Sequence, residues 1–502
     1  MLYWPETKLI VEGVVAMVRS LPTLGAAALV MVTVSFKVRA VASGADSLFP
    51  PLAAAVVQSV AVVRVSDGKM LVDIGAEKLL SPASVTKLVT SATALAKFGP
   101  SHKFTTRFYL DGRRAGEVLH GNLVIVGDGD PFVVNEKLWQ MAADFRHLGI
   151  REVTGDIVID NALFVGPSRD QSRKEGEKVT SHAYDAPVSA FGVNFNTFAV
   201  AMAPGLKIGA PATVSIDPYK IQGIVVENAL RTVAARQSAS VQVSRLTQAN
   251  DMPRLVVRGG IPLDQGLRKI YRSVDDHVIA AGETVRAFFG REGIRIAGRV
   301  REGARPAAAE LLYEMPGYDL AYIVSGLNTF SNNYIADVLV ERLGAQFGTV
   351  GSMESGLLVI AEFLKTEVGL KPTFVLKNGS GLDSANRLSA AQLVRLLSYM
   401  ESRFDLFPEF LASLPTAGEE GTMEKRLKNG GGPSLKGLVR AKTGSLTEPV
   451  SVASLAGYFR HPKHGLVAFA VIENGIPGKV QPSIGDLRTR QDHAIDKLWE
   501  TL

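Results

Sequence analysis

The sequence has no cysteine and no marked excess of charge of either sign. Without cysteine, disulfide frameworks, thiolate zinc sites, iron–sulfur clusters and cysteine nucleophiles are excluded. The 55 Lys and Arg residues exceed the 49 Asp and Glu residues by six, and this excess is spread along the chain, unlike the basic stripe of a nucleic-acid-binding protein. Disorder is excluded as well, because 46% of the 502 residues are hydrophobic, which is enough for packed cores. The length of the chain suggests about three domains.

The N-terminal hydrophobic stretch is too short to span a membrane and is typical of an export signal. It covers residues 24–36, which is 13 positions against the ~20 that a membrane-spanning helix needs. Arg19 precedes it, and residues 40–42 supply the small-x-small pattern after which signal peptidase cuts. The segment before Arg19 is long for a signal, and a start at Met17 would give a conventional one. We predict that residues 1–42 are a signal peptide and that the mature chain is periplasmic, with loose membrane association left open.

Strand and helix patterns predict an α+β fold whose main domain is interrupted by an insert. Residues 105–300 consist of short Val- and Ile-rich runs separated by Gly, Pro, Asn and Asp, which indicates inserted β-rich domains, two in number with one nested in the other. Residues 43–104 and 301–502 contain five strand-like runs and several amphipathic helical patterns. One of the predicted helices covers residues 48–59. We expect these two segments to form one antiparallel five-stranded sheet flanked by helices.

Ser84 and Lys87 stand three residues apart at the start of an amphipathic helical pattern. On a helix this spacing places the hydroxyl and the amine on one face, and the free N–H groups at the helix start favour a developing negative charge. The same spacing at Ser66 and Lys69 falls in a polar turn between strands and offers no such environment. Ser84 is therefore the better candidate nucleophile, although the pattern also fits an ordinary helix start followed by a solvated lysine.

Two further polar motifs follow later in the chain. Ser331 and Asn333 lie at the junction of two helical patterns, which also fits a plain polar loop, and Lys442, Thr443 and Gly444 lie within a strand-like run. A helix-start Ser/Lys pair, a later Ser/Asn corner and a strand-borne Lys/Thr/Gly in this order are typical of enzymes that form an acyl-serine.

With these motifs the sequence resembles the penicillin-recognising serine hydrolases. It is most similar to the D-alanyl-D-alanine carboxypeptidase/endopeptidase family with a large insert, the class C low-molecular-mass penicillin-binding proteins (peptidase S13-like). The 247 residues between Ser84 and Ser331 favour this family, because β-lactamases and simpler carboxypeptidases keep these motifs closer together. Further stretches that resemble the family are GDGDP at 127–131, YDAPVSAFGVN at 184–194, NGSGL at 378–382, LPTAGEEGT at 414–422 and VRAKTGSL at 439–446.

The resemblance implies a transpeptidase-like fold and an acyl-enzyme on Ser84. The base for its hydroxyl proton would be Lys87, which must be neutral and therefore desolvated or flanked by another cation such as Lys442. Ser331 would relay a proton to the departing amine, and Asn333 would hold a substrate amide.

The Lys-Thr-Gly strand would bind the end of the substrate. The resemblance implies that Thr443, together with Lys442, binds the terminal carboxylate. The oxyanion hole would be formed by the backbone N–H groups of Ser84 and Ser445, because Gly444 lets the strand approach closely.

Selectivity for the substrate's diamino acid is less conventional. The family typically has an arginine at the position of Ser384, and Arg387 is the candidate to replace it. Asp160 resembles the family's acidic partner for the substrate amine. Each has a structural alternative, a helix-start cation for Arg387 and a strand-end cap for Asp160.

The predicted partners are peptidoglycan peptides and cross-links ending in D-Ala-D-Ala, with β-lactams as covalent inhibitors and no nucleic acid; a homodimer is left open. No cofactor is implied, and the spacing of His461 and His464 is typical of a surface turn rather than of a metal site. Two other functions stay open. One is a β-lactamase or esterase of the same superfamily, against which the insert argues, and the other is a catalytically silent cell-wall-binding protein, against which the complete motif set argues.

Overall fold

The structure, a computed structural model, describes residues 48–52, 54–169, 181–217, 225–246, 254–428 and 435–502. The predicted signal peptide at 1–42 lies outside these residues. Within the described ranges, no helix combines the length and apolar character needed to cross a membrane.

The described chain contains a run of strands in its middle and a run of helices after it, with further strands at both ends. The strands, in order, are β1 (Val56–Arg64), β2 (Lys69–Ile74), β3 (Lys103–Ala115), β4 (Val118–Val126), β5 (Glu152–Val153), β6 (Ile157–Asp160), β7 (Thr197–Ala203), β8 (Thr213–Asp217), β9 (Val225–Val233), β10 (Gln242–Leu246), β11 (Arg254–Pro262), β12 (Arg268–Ser273), β13 (Arg295–Ile296), β14 (Val300–Glu302), β15 (Glu310–Asp319), β16 (Val439–Leu446), β17 (Val452–His461) and β18 (Gly465–Gly475). The α-helices are α1 (Lys87–Phe98), α2 (Asn135–His147), α3 (His277–Arg291), α4 (Leu320–Phe330), α5 (Asn333–Phe347), α6 (Met353–Thr366), α7 (Ala390–Ser402), α8 (Phe407–Ser413) and α9 (Ile484–Thr501).

The first two and the last three strands form one antiparallel sheet in the order β16-β17-β18-β1-β2. The pairing of β1 with β18 joins the two ends of the described chain, from Val56 opposite Gly475 to Arg64 opposite Val467. The predicted five-stranded sheet is confirmed. The helix predicted at 48–59 is wrong: residues 49–52, 54 and 55 are not helical. From Val56 onward the segment is a strand, because its β-branched residues pack on both faces of a central strand.

The two faces of this sheet pack against different helices. Ala61 and Val63 belong to a core formed with helices α1, α4, α5, α6, α7 and α8. Val60 and Val62 point the opposite way and join a core that helix α9 covers through residues such as Ile495. Since successive side chains of a strand alternate between faces, the near-continuous apolar sequence of β1 reflects burial on both sides.

The described residues between α1 and α4 form three further sheets. The largest contains β13-β5-β4-β3-β15 with β6 and β14 and packs against α2 and α3. The sheets β12-β7-β8 and β10-β11-β9 share a separate core. β15 pairs with β3 and so extends the largest of these sheets beyond the predicted boundary at residue 300. The boundaries 43–104, 105–300 and 301–502 themselves stay predictions.

Candidate active site

Ser84 lies in a short 3₁₀ turn, Ala83–Thr86, that leads directly into α1. The residue before it, Ala83, is fully buried and has a φ of 46°, a left-handed conformation that is unfavourable for a residue with a side chain. Gly381 packs against this turn so closely that a Cβ added there would lie 1.9 Å from the Ala83 carbonyl oxygen. The turn is thus held in place by the NGSGL loop, and Ser84 remains partly accessible.

Lys87 is fully buried beneath Ser84. Its Nζ lies 2.9 Å from Ser84 Oγ, 2.7 Å from Asn333 Oδ1 and 2.5 Å from the Ser380 carbonyl oxygen. Burial lowers the pKa of Lys87 to about 7, against the opposing effect of the Asp337 carboxylate. A lysine in this environment exchanges its proton readily at neutral pH.

Ser331 and Asn333 are brought together by a tight link between two helices. Helix α4 ends at Ser331, which has a φ of 58°, and α5 begins at Asn333 with Asn332 as its cap, accepting a bond from the Ile335 N–H at 3.2 Å. Asn333 Nδ2 donates to the carbonyl oxygen of Tyr184 at 3.2 Å. A loop of the inserted region therefore contacts a residue that also contacts Lys87.

The Lys-Thr-Gly motif lies on β16, one of the two edge strands of the five-stranded sheet. Lys442 is fully buried, and its Nζ donates to Ser331 Oγ and to the Thr443 carbonyl oxygen, both at 2.7 Å. Burial, followed by the charge of Lys87, lowers the pKa of Lys442 well below its usual range.

Gly444 is the point where β16 meets the turn that carries Ser84. A Cβ added at Gly444 would lie 3.0 Å from the Ser84 backbone nitrogen, 2.7 Å from the Pro82 carbonyl oxygen and 2.3 Å from Ser454 Oγ. Only glycine allows this approach. The next residue, Ser445, donates its hydroxyl to the Gly444 carbonyl oxygen at 2.7 Å and accepts a bond from Arg488 Nη2 at 3.0 Å.

Three distant segments thus meet at one place: the Ser84–Lys87 turn, the Ser331–Asn333 link and the Lys442–Ser445 strand. By contrast, Ser66 and Lys69 are exposed in the turn between β1 and β2. The arrangement places a serine hydroxyl on a buried amine and a second serine hydroxyl on a second buried amine, which is suited to acyl transfer with separate groups for taking up and delivering protons.

Several contributors were missed from the sequence. The Ser380 carbonyl oxygen belongs to the NGSGL stretch, whose sequence does not itself indicate a contact with Lys87. The amide N–H of Ser380 donates to Asp337 Oδ1 at 3.0 Å. Asp337 follows Asn333 by one helical turn, and that spacing was the available signal for it. Tyr184 and Arg488 contact the site through bonds that no local pattern indicates.

Asp160 and Arg387 bond to their own surroundings. Asp160 ends β6, and its carboxylate accepts from the backbone nitrogens of Ala162 at 2.9 Å and Arg305 at 2.7 Å. Arg387 Nη1 donates to the carbonyl oxygens of Ser384 at 2.6 Å and Asn386 at 2.8 Å. These contacts are those of a strand-end cap and a loop cation, and the predicted substrate roles of the two residues stay predictions.

Asp160 also borders a cavity of about 420 Å³ lined by His277, Glu302 and Glu341, among others. Burial, with a smaller contribution from Asp337, raises the pKa of Glu341 to about 8. Among the described residues, no three His, Asp or Glu side chains are grouped so as to hold a metal.

His461 and His464 lie at the other end of the sheet. Their rings stack at 5.1 Å and contact the carbonyl oxygens of Trp499 at 3.1 Å and Leu502 at 2.6 Å. These bonds link the C-terminal end of helix α9 to strand β17 and to the turn that joins it to β18.

The sequence matches a protein-family model described as the D-Ala-D-Ala carboxypeptidase 3 (S13) family over residues 45–492. It is 32% identical over 450 residues to the D-alanyl-D-alanine carboxypeptidase of Actinomadura sp. (strain R39), covering 86% of this chain and 80% of the relative. It is 24% identical over 440 residues to the D-alanyl-D-alanine carboxypeptidase DacB of Haemophilus influenzae, covering 86% and 87% of the two chains.

The fold also has a solved counterpart. The crystal structure of penicillin binding protein 4 (dacB) from Haemophilus influenzae matches with a TM-score of 0.73 at 21% identity, over 91% of this chain and 99% of the other. The predicted fold class, an antiparallel sheet flanked by helices with additional β-rich domains, is thereby confirmed.

Proposed function

Because the chain belongs to the D-Ala-D-Ala carboxypeptidase 3 (S13) family, we propose that it cleaves peptidoglycan stem peptides and cross-links through an acyl-enzyme on Ser84. Family membership makes the chain a serine-type hydrolase of the D-Ala-D-Ala carboxypeptidase class. The observation that carries the proposed mechanism is the 2.9 Å contact between Ser84 Oγ and the buried Nζ of Lys87. We extend the proposal to both carboxypeptidase and endopeptidase action, and to acylation by penicillins.

In the first step, neutral Lys87 takes the hydroxyl proton of Ser84. Two N–H bonds of the amine are directed at Asn333 Oδ1 and the Ser380 carbonyl oxygen, which leaves the nitrogen lone pair for the Ser84 hydroxyl. Ser84 Oγ then forms a bond to the carbonyl carbon of the penultimate D-alanine. The resulting oxyanion would accept bonds from the backbone N–H groups of Ser84 and Ser445, which Gly444 brings together.

In the second step, the bond between the carbonyl carbon and the leaving nitrogen breaks. Ser331 gives its hydroxyl proton to that nitrogen, and Lys442, 2.7 Å away, restores the proton to Ser331. Asn333 would hold the substrate amide through its side chain. Lys87 has gained one proton and Lys442 has lost one, so the total charge of the site is unchanged.

Deacylation uses the same groups in reverse, with water replacing the leaving amine as the nucleophile. A penicillin opened by Ser84 keeps its leaving nitrogen tethered to the acyl group, which hinders the approach of water. We therefore expect a penicillin adduct that outlasts the acyl-enzyme of a peptide.

The proposed location is the periplasm, with removal of residues 1–42. This part of the proposal is supported by the sequence of the N-terminal segment and by the proposed substrate, which lies outside the cytoplasmic membrane.

The test is incubation of the purified protein with benzylpenicillin, followed by intact mass and peptide mapping. We expect one adduct on the peptide that contains Ser84, hydrolysis of an N-acylated peptide ending in D-Ala-D-Ala, and loss of both in Ser84→Ala. Ser66→Ala is the matched control, because Ser66 has the same spacing to a lysine but lies in an exposed turn. Rapid drug turnover without an adduct would indicate a β-lactamase. The absence of both an adduct and turnover would contradict the proposal.

A further inference from the structure

The motif residues Lys442 and Thr443 lie on opposite faces of β16. Val439 and Ala441 belong to the core under helix α9, and because side chains alternate along a strand, Thr443 and Ser445 continue that face. Lys442 points to the other face, where its Nζ bonds to Ser331 Oγ. The Lys442 ammonium is therefore bonded on the opposite face of the strand from the Thr443 and Ser445 hydroxyls.

A different cation reaches this face from helix α9. Arg488 lies in the first turns of the helix, and its Nη2 donates to Ser445 Oγ at 3.0 Å. The proton of the Ser445 hydroxyl is directed at the Gly444 carbonyl oxygen. The guanidinium is thus anchored by one bond beside the end of the Lys-Thr-Gly strand, and Arg488 as a whole is exposed to solvent.

The charges that act most on Arg488 are those of Arg426 and Asp492. Asp492, four residues further along the same helix, bonds to Arg426 through both carboxylate oxygens, at 2.8 and 2.9 Å from Arg426 Nε. Over the described part of the chain, no carboxylate lies within 4.0 Å of the Arg488 guanidinium. A fixed, accessible guanidinium with unused N–H donors is the group best suited to bind a carboxylate.

We propose that Arg488, together with the Thr443 hydroxyl, binds the terminal carboxylate of the substrate and thereby makes the enzyme selective for chains with a free carboxyl end. This inference rests on the proposed function, since it assigns one end of the substrate in the same site. In this assignment Lys442 transfers a proton and Arg488 recognises the substrate.

The test compares two acylating agents that differ only in this carboxylate, benzylpenicillin and its methyl ester, with the full protein and a mass-spectrometric measurement of acylation rates. Arg488→Ala should lower the rate with benzylpenicillin about 10- to 100-fold, the range for losing a hydrogen bond to a charged group. The rate with the methyl ester should stay within about twofold of the unchanged protein. Arg488→Lys, which keeps the charge without the planar fork, should lie between.

The matched control is Lys497→Gln, on the same helix in an exposed ion pair with Glu500, which should alter neither rate. If Arg488 only orients Ser445, Arg488→Ala will lower both rates equally, and this outcome or an unchanged benzylpenicillin rate overturns the inference. If the unchanged protein forms no adduct with either compound, the proposed function itself fails, which is a distinguishable result.

Discussion

The regions around Lys87 and Lys442 are built alike but differ in the charges nearby. Each lysine is fully buried, and each contacts one serine hydroxyl and one backbone carbonyl. Lys87 has in addition the amide of Asn333 and the influence of the Asp337 carboxylate, whereas Lys442 is subject to the charge of Lys87. Since two buried ammonium groups repel, we infer that the two lysines are not charged together. The proposed mechanism requires the charge on Lys442 at the start of acylation and on Lys87 at its end.

The largest effect should come from removing the base. Lys87→Gln fills a similar volume but cannot accept a proton, so acylation by benzylpenicillin should fall by about 10³-fold or more. Stopped-flow or quenched mass spectrometry measures this rate. Unchanged thermal stability of the variant would show that the loss is chemical, and a rate within tenfold of the unchanged protein would contradict the assignment of Lys87 as the base.

Lys442→Gln should have a smaller effect, because Ser331 retains its own hydroxyl proton for one transfer. We expect acylation to slow by about 10²-fold while an adduct on Ser84 still accumulates over hours. The same mass-spectrometric assay measures it. Equal losses in Lys442→Gln and Lys87→Gln would mean that the two lysines do not have separate roles.

The pH dependence tests the surroundings of Lys87. The pKa of Lys87 is lowered to about 7, so acylation should fall as the pH drops below about 7, where the amine becomes protonated and cannot accept a proton. Asp337 raises this pKa, so Asp337→Asn should move the acid limb to lower pH while the amide oxygen still accepts from the Ser380 N–H. The measurement is the acylation rate across pH 5 to 9, about two units either side of neutrality.

The control for this profile is Glu341→Gln, one helical turn beyond Asp337. Because the pKa of Glu341 is raised to about 8, this group is mostly uncharged at pH 7 and its replacement should leave the limb in place. A shift of the limb to higher pH in Asp337→Asn would contradict the electrostatic account.

Much of the site could be predicted because its chemistry is carried by short motifs. Ser84 with Lys87, Ser331 with Asn333, and the Lys442 strand were each found from local spacing, and the five-stranded sheet was found from strand-like runs at both ends of the chain. The segment 48–59 was less predictable, since apolar, β-branched residues such as those of 56–63 fit a buried strand as well as a helix.

The remaining features depend on contacts between residues far apart in sequence. The Ser380 carbonyl oxygen is 293 residues from Lys87, and no local pattern reports such a neighbour. The bonds of Asp160 to the backbone of Ala162 and Arg305, and of Arg387 to its own loop, depend on backbone geometry that composition does not encode. The side of β16 faced by each motif residue follows from alternation only once the strand's register is known.

The pairing of β1 with β18 has a consequence for the order in which the protein assembles. Residue 56 must wait for residue 475 to be synthesised before the central sheet can close, and closing so long a loop makes this a slow, late step. The strands between β3 and β15 pair among themselves and can fold earlier. Until β18 arrives, the apolar β1 lacks its partner, so the five-stranded sheet forms only after the strands between β3 and β15 have been synthesised.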